Sequence, residues 1–232
     1  MKTYKEIEQL SLEWFEIKWG KIGGTGSSGL FVESDTLFID LLSQVTEEFE
    51  PEDGFENEHT KRGQDLEPFA IEYLEKYTGL KFESFGWLQS ERNELLGISP
   101  DGMTEDETEG AEVKCFARKK HMEIMLSNTI PKENICQAIH YFTVNPKLQK
   151  LNWLAFRPEA IRSVPIVLTR DSLVDIGWKK KGKVSEDRGK GLKEYVVTLP
   201  DLRTVQEWSD LALSNADKLL ERIQNKKDEL SF

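Results

Sequence analysis

Cysteine is scarce in this chain: only Cys115 and Cys136 occur in 232 residues. That excludes the disulfide framework of a small secreted domain. The N-terminus, MKTYKEIEQLSLEW, lacks the apolar core of a signal peptide, and no run approaches the roughly 18–20 apolar residues of a membrane span. A soluble protein of a reducing cytoplasm is expected. Positive charge is also in deficit. Lys and Arg total 31 against 42 Asp and Glu, a formal net charge of −11. A generic electrostatic nucleic-acid coat is therefore excluded, though a local basic patch is not. Internal repeats, long linkers and composition breaks are missing too.

What is present is a globular balance, with 38% hydrophobic and 31% charged residues, so the chain is not wholly disordered. At this length roughly 70–75% of the unfolded surface can be buried, and no covalent or metal staple is required. One α/β domain over residues 1–232, with a central mixed sheet flanked by helices, is the simplest architecture.

The periodicity predicts a helical segment from Thr3 to Trp19 and a second helix over about Asp35 to Gln44. Between them lies a glycine-rich loop, Gly23 to Gly29. From Glu33 to His59 there are ten acidic residues and no Lys or Arg. This run reads as a solvated face or as a surface that repels DNA. The clearest helix spans Lys61 to Tyr77, with Leu66, Phe69, Ala70, Tyr73, Leu74 and Tyr77 at helical spacing and Gly79 as its stop. Phe82 to Gln89, Leu95 to Ser99 and Ala111 to Phe116 read as strands. His121 to Leu126 reads as helix, and Pro131 suits the start of another over Lys132 to Val144. Leu151 to Phe156 and Ile161 to Leu168 read as a strand hairpin. Lys179 to Lys190 reads as a basic loop that either contacts DNA or is simply solvated. A charged helix closes the chain from Leu202 to about 227.

Four segments carry chemistry. Asp101, in Ser99-Pro100-Asp101-Gly102, ends a strand at a turn. Ten residues separate it from Glu112, in Glu112-Val113-Lys114. Strand side chains alternate, so Glu112 and Lys114 share a face while Val113 points to the core. A hairpin can bring Asp101 and Glu112 together. Two carboxylates and a strand carbonyl, such as that of Val113, are the hard oxygen ligands Mg²⁺ prefers. Lys114 can hold or deprotonate a water beside them. Glu67, on the clear helix, can reach the same ion directly or through water. Gln137, on the later helix, suits a phosphate oxygen or a bound water. Alone, each has an ordinary explanation: a turn, an exposed strand face, a solvated helix position. Together they suit phosphodiester hydrolysis, whose attacking water and leaving oxygen both gain from a divalent cation.

Several residues resemble one family. Pro100-Asp101 followed by Glu112-Val113-Lys114 resembles the PD-(D/E)XK nuclease motif. The wider pattern is similar to the phage lambda exonuclease, or YqaJ-like viral recombinase, family. It comprises Trp14 with Lys18, Gly20 and Thr25; Gly63 with Glu67, Pro68 and Ala70; Ser99 to Gly102; Glu112 to Cys115; and Gln137 with Tyr141. The resemblance implies a Mg²⁺-dependent deoxyribonuclease, with Mn²⁺ as a substitute and one or two ions bound. It implies digestion of linear duplex DNA from 5′ to 3′, leaving a 3′ single strand for recombination. Asp101 and Glu112 would be metal ligands, Lys114 would act on the attacking water, and Glu67 would be an accessory acid. Family members form toroidal trimers that thread the duplex, and work beside a single-strand annealing protein. A bacterial host cytoplasm and a phage or prophage origin follow.

In the family a basic residue and a hydroxyl hold the 5′-phosphate. The matching positions are Lys18 and Thr25, with Ser27 and Ser28 as near alternatives. The family has Arg where this chain has Lys18, and Lys cannot form the bidentate phosphate fork. The glycine loop is either this phosphate loop or a connector; it is not a Walker loop, since no Gly-Lys-Ser/Thr follows. Lys18, Lys21, Arg118, Lys119 and Lys120 are expected along the DNA path. Cys115, His121, Cys136 and His140 have irregular gaps for zinc, and two cysteines are too few for a four-cysteine iron–sulfur cluster. Two other readings compete: an endonuclease or nickase with the same metal centre, and a non-catalytic DNA-binding protein on the same fold.

Overall fold

The computed structural model describes residues 1–32, 34–50, 58–185 and 192–230, and of residues 58–60, 178–185 and 192–199 the backbone alone. The chain opens with a strand, β1 (Lys2–Tyr4), which pairs antiparallel with β2 (Trp87–Gln89). Helix α1 is confined to Leu12–Lys18. The helix expected from Thr3 is thus shortened, because the open edge of β2 takes residues 2–4. Leu10 adopts φ 70°, and Ser11 caps α1 by accepting a hydrogen bond from the Trp14 amide at 3.2 Å. The glycine-rich segment forms a 3-10 helix, Thr25–Phe31. Ser34 then caps α2 (Asp35–Thr46).

Helix α3 spans Glu58–Thr78 and contains Pro68. A proline inside a helix costs a hydrogen bond; the apolar face of α3 offsets this by packing on the sheet. Ala70 and Leu74 are fully buried there, with Leu66, Ile71 and Tyr73 beside them. Phe69 and Tyr77, expected in that stripe, are 60% and 61% exposed. They lie one residue off the buried rows. Gly79 ends the helix at φ 75°.

Two sheets follow. β3 (Gly97–Ile98) joins β2 to complete the order β1-β2-β3. The strands expected over Phe82 to Gln89 and Leu95 to Ser99 are shorter than predicted; Glu83 and Leu96 form only isolated bridges, to Met103 and Ile22. The central sheet contains β4 (Gly102–Met103), β5 (Glu109–Lys114), β6 (Lys150–Ala155) and β7 (Val164–Thr169), in that spatial order. Its pairings are antiparallel, parallel and antiparallel. The mixed sheet and the β6–β7 hairpin are as predicted. The parallel β5–β6 step requires a crossover, supplied by α4 (Arg118–Ser127) and α5 (Lys132–Val144). Pro131 stands as the N-cap of α5.

Helices cover both faces of this sheet. On one, α3 packs on Ala111, Val113, Leu154 and Phe156. On the other, the buried face of α5, with Ile139, Tyr141 and Phe142, joins Leu151 and Leu168 in the main core. The C-terminal part departs from expectation. β8 (Leu173–Asp175) pairs with β11 (Leu202–Thr204), and β9 (Trp178–Ser185) with β10 (Leu192–Leu199). Residues 179–185 are therefore strand rather than loop, and 186–190 lie outside the described residues. The last helix, α6, begins at Val205 rather than Leu202 and runs to Leu230.

Gly86 ties these parts together. Its carbonyl accepts from Trp14 Nε1 at 3.0 Å and from Ser99 Oγ at 2.7 Å. A Cβ added there would lie 2.0 Å from the Ile7 carbonyl oxygen. Backbone cannot yield as a flexible side chain would. Gly86→Ala is expected to destabilise the protein by about 1–3 kcal/mol, read as a lower urea midpoint; an unchanged midpoint would contradict the packing.

Candidate active site

The two sheets meet at Asp101, between β3 and β4. Gly102 permits that junction, since a Cβ there would stand 2.8 Å from Phe82 Cβ. Antiparallel pairing sets Gly102 opposite Ala111, which brings Asp101 beside the C-terminal half of β5. Its Oδ2 accepts from the Val113 amide at 2.6 Å. Glu112 is 1% exposed. Its Oε2 accepts from the Tyr141 hydroxyl, and its Oε1 forms an ion pair with Lys114 Nζ. The strand alternation is as predicted: Glu112 and Lys114 share one face, and Val113 packs on the α3 side.

The electrostatics show how tightly these groups are gathered. Burial pushes the Asp101 carboxyl well above the usual carboxylate range. Glu112 and Glu67 push in the same direction, while Lys114 and the Val113 amide oppose them. The Glu67 carboxyl is also raised, by burial and then by Glu112. Burial works against the Lys114 ammonium, but the carboxylates of Glu112, Asp101 and Glu67 outweigh it and hold the proton more firmly than usual. Burial, followed by Glu112 and Asp101, raises the Tyr141 hydroxyl, so it serves as a donor. Asp101, Glu112, Lys114 and Glu67 therefore form one electrostatic unit.

Among the described residues, no three His, Cys, Asp or Glu side chains stand in ready ligand geometry. The donor set nevertheless fits a hard divalent cation. Its acids are mutually repelling oxygens. The buried Glu112 Oε1 meets the Lys114 ammonium. Zinc is not favoured. His140 Nε2 lies between the Ile22 and Gly97 carbonyls, and burial lowers its pKa to about 4. His121 Nε2 faces the Arg162 carbonyl at 2.9 Å, and both cysteines are free.

A cleft of about 410 Å³ is lined by Trp14, Lys18, Lys21, Thr25, Asp40, Ser99 and Gln137 among others. Two features connect cleft and carboxylates. Ser99 lines the cleft two residues before Asp101. Gln137 and Tyr141 are one helical turn apart on α5, so one helix serves both places. Lys18 Nζ sits 3.3 Å from the Trp14 ring centroid, and burial lowers its pKa to about 8. The Trp14 indole is fixed by bonds to Gly86 O and Ser99 Oγ. Thr25 is exposed on the lining, and Gln137 touches Gly24. Ser27 is fully buried, with its hydroxyl donating to Gly24 O at 2.6 Å, and Ser28 is exposed outside the lining. Of the other expected cations, Lys21 lines the cleft, Arg118 and Lys119 are exposed on the first turn of α4, and Lys120 pairs with Glu133. The sequence reading missed the roles of Tyr141 and Trp14. Tyr141 stood four residues after Gln137 in the motif, and Trp14 four before Lys18, so helical spacing was the available signal.

The layered mixed sheet, with acids and a lysine on adjoining strands, is a PD-(D/E)XK-type nuclease fold. The YqaJ-like viral recombinase domain matches residues 13–147, and the chain belongs to that family. The match includes Lys18, Glu67, Asp101, Glu112, Lys114 and Gln137. The fold is similar to the crystal structure of an alkaline exonuclease (LHK-Exo) from Laribacter hongkongensis, at TM-score 0.65 and 17% identity, over 95% of this chain and 96% of that one. The structure of LHK-Exo in complex with dAMP matches at TM-score 0.63 and 18% identity, over 95% and 98% of the two chains. No curated protein matches the sequence.

The raised acids predict a pH dependence of stability. An unfolded Asp ionises near 3.9, whereas folded Asp101 holds its proton to higher pH. The folded state then binds more protons, so metal-free stability falls as pH rises from about 4 through the raised value. Asp101→Asn removes that penalty. It is expected to raise the melting temperature at pH 8 by several degrees and to flatten the pH profile; a lower melting temperature at pH 8 would contradict the burial argument.

Proposed function

We propose that this protein is a Mg²⁺-dependent deoxyribonuclease that digests linear duplex DNA from 5′ to 3′. The product would be a 3′ single strand for phage-type recombination. The observation that carries this reading is the convergence of Asp101, Glu112, Lys114 and Glu67 beside the Lys18 cleft. Membership of the YqaJ-like family and the fold of an alkaline exonuclease support it.

Asp101 and Glu112 would hold the ion, with the Val113 carbonyl as a third oxygen. The Val113 N–H points to Asp101, and a strand residue's N–H and C=O share an edge. Glu67 would contribute through water. Bound Mg²⁺ supplies charge compensation at the phosphate and activates the attacking water; Mn²⁺ would substitute. The chain's own residues do the rest. Tyr141 fixes Glu112 by donating to Oε2, leaving Oε1 toward the ion and Lys114. Lys114, held protonated, orients the water and donates toward the developing charge. Gln137 offers its amide to a phosphate oxygen or to that water. Lys18 and Thr25 receive the terminal 5′-phosphate, and Ser27 fixes the loop through Gly24. A cation-lined cleft so near the carboxylates favours action at an end over internal nicking.

In this reading residues 1–232 act as one nuclease unit on duplex ends, in the cytoplasm of a bacterial host. A trimeric ring and a single-strand annealing partner complete it, as the family resemblance implies.

The test is a time course on 5′-labelled linear duplex, with a closed circle as control. Digestion is expected only with Mg²⁺ or Mn²⁺ and only on the linear form; cutting of the circle would favour an endonuclease. Lys114→Ala is expected to slow digestion by about 10²–10⁴-fold while the duplex is still bound. Wild type and Lys114→Ala equally inert would favour a non-catalytic protein.

Lys18 gives a separate expectation. Its pKa of about 8 means that the charge disappears as pH rises through that value. Preference for 5′-phosphate over 5′-hydroxyl ends should therefore decline above about pH 8 and be absent in Lys18→Ala. A preference that is flat with pH, or kept by the variant, would remove Lys18 from the phosphate site.

A further inference from the structure

A second group of cations lies beyond the cleft, on the helix turn before Glu67 and beside the chain that follows Lys114. Arg62 lies on α3, five residues before Glu67. Arg157 follows β6 and donates from Nη1 to the Phe116 carbonyl at 3.4 Å, two residues past Lys114. Between the arginines stands Glu159. Arg62 Nη2 reaches its two oxygens at 3.2 and 3.1 Å, and Arg157 Nε lies 3.6 Å from Oε2. Two guanidinium groups thus share one carboxylate, and the cluster keeps a net positive charge.

The arginines are under-used. A guanidinium has five N–H donors, and among the described residues Arg62 donates from Nη2, to Glu159. Its Nε is buried with no acceptor. Glu159, by contrast, is 52% exposed at its side chain and sits in the turn between β6 and β7, where its own backbone amide also donates to it. The cleft is lined by Ser99, on the chain before Asp101, and Arg157 holds the Phe116 carbonyl, on the chain after Lys114.

We propose that Arg62 and Arg157 form a second phosphate-binding point, which holds an internal backbone phosphate of the DNA while the terminal phosphate occupies the Lys18 cleft. Glu159 is the tether that keeps the pair together and is displaced when DNA binds. Arginine suits this task, because its planar fork matches phosphate oxygens. The inference rests on the nuclease reading and adds a site to it.

The test is binding of a short, labelled, 5′-phosphorylated duplex in EDTA, by fluorescence anisotropy over a range of salt concentrations. Arg62→Gln and Arg157→Gln are each expected to weaken binding about tenfold. Each should also reduce the slope of log affinity against log salt by about 0.9. Glu159→Gln, which frees both arginines, is expected to tighten binding without reducing the slope. A purely structural tie between α3 and the β6–β7 turn would make Glu159→Gln weaken binding as the arginine variants do, and would overturn the proposal. Unchanged slopes in folded arginine variants would also overturn it. Should Arg62→Gln fail to fold, Arg157→Gln and Glu159→Gln still decide. Wild-type digestion of linear duplex, assayed in parallel with Mg²⁺, separates the readings: if it is present and the slopes are unchanged, only this inference falls, whereas if wild type neither binds nor cuts DNA, both fall.

Discussion

Like charges gathered in a poorly solvated place are the constraint on which this structure turns. Asp101, Glu112 and Glu67 each oppose the ionisation of a neighbour, and Lys114 alone among them compensates. No folding advantage explains such an arrangement, since breaking it up into apolar packing would relieve the repulsion. The surrounding architecture is what enforces it. Antiparallel pairing of β4 with β5 delivers Asp101 to the Val113 amide. Parallel pairing of β5 with β6 buries Glu112 opposite Trp153, and α5 caps it with Tyr141. The sheet and its two helical layers therefore hold a destabilising cluster in place, as is common at functional sites.

The helix α5 illustrates how one element can couple separate tasks. Its buried face, through Ile139 and Phe142, belongs to the main core. Tyr141 reaches the carboxylate, and Gln137, a turn earlier, lines the cleft. His140 anchors the same turn by bridging the Ile22 and Gly97 carbonyls. A shift of α5 would thus move the Lys18 cleft and the acid cluster together. The core contacts of α5 explain why the two sites keep a fixed separation without any direct bond between Lys18 and Asp101.

Much of this was legible in the sequence because it depends on local geometry. Alternation placed Glu112 and Lys114 on one face, helical spacing placed Leu66, Ala70 and Leu74 on the sheet, and Pro131 marked the start of α5. What escaped depends on partners distant in the chain. Residues 2–4 form a strand only because Trp87–Gln89 offers an edge, and Leu202–Thr204 only because Leu173–Asp175 does. Ser27 stood beside Thr25 as an alternative phosphate donor by family resemblance, and the tight 3-10 turn directs its hydroxyl to Gly24. Phe69 shows the limit of periodicity itself: a residue adjacent to a buried row shares the hydrophobic signal but stays in solvent.

Net charge is a poor guide to what this protein binds. At physiological salt the Debye length is about 8 Å, so exposed acids more than that distance away are largely screened at the site. The acids between Glu33 and His59 contribute to the −11 total; Asp40 among them lines the cleft that contains Lys18, whereas Glu47, Glu48 and Glu50 border a different pocket. What a phosphate meets is set by the few cations held at low solvent exposure. Lys18 packed on Trp14 and Lys21 tied to the Ile17 carbonyl are shielded from bulk solvent, so their field is screened less than that of the acidic surface. An acidic surface with a few cations held at low exposure disfavours nonspecific coating of DNA.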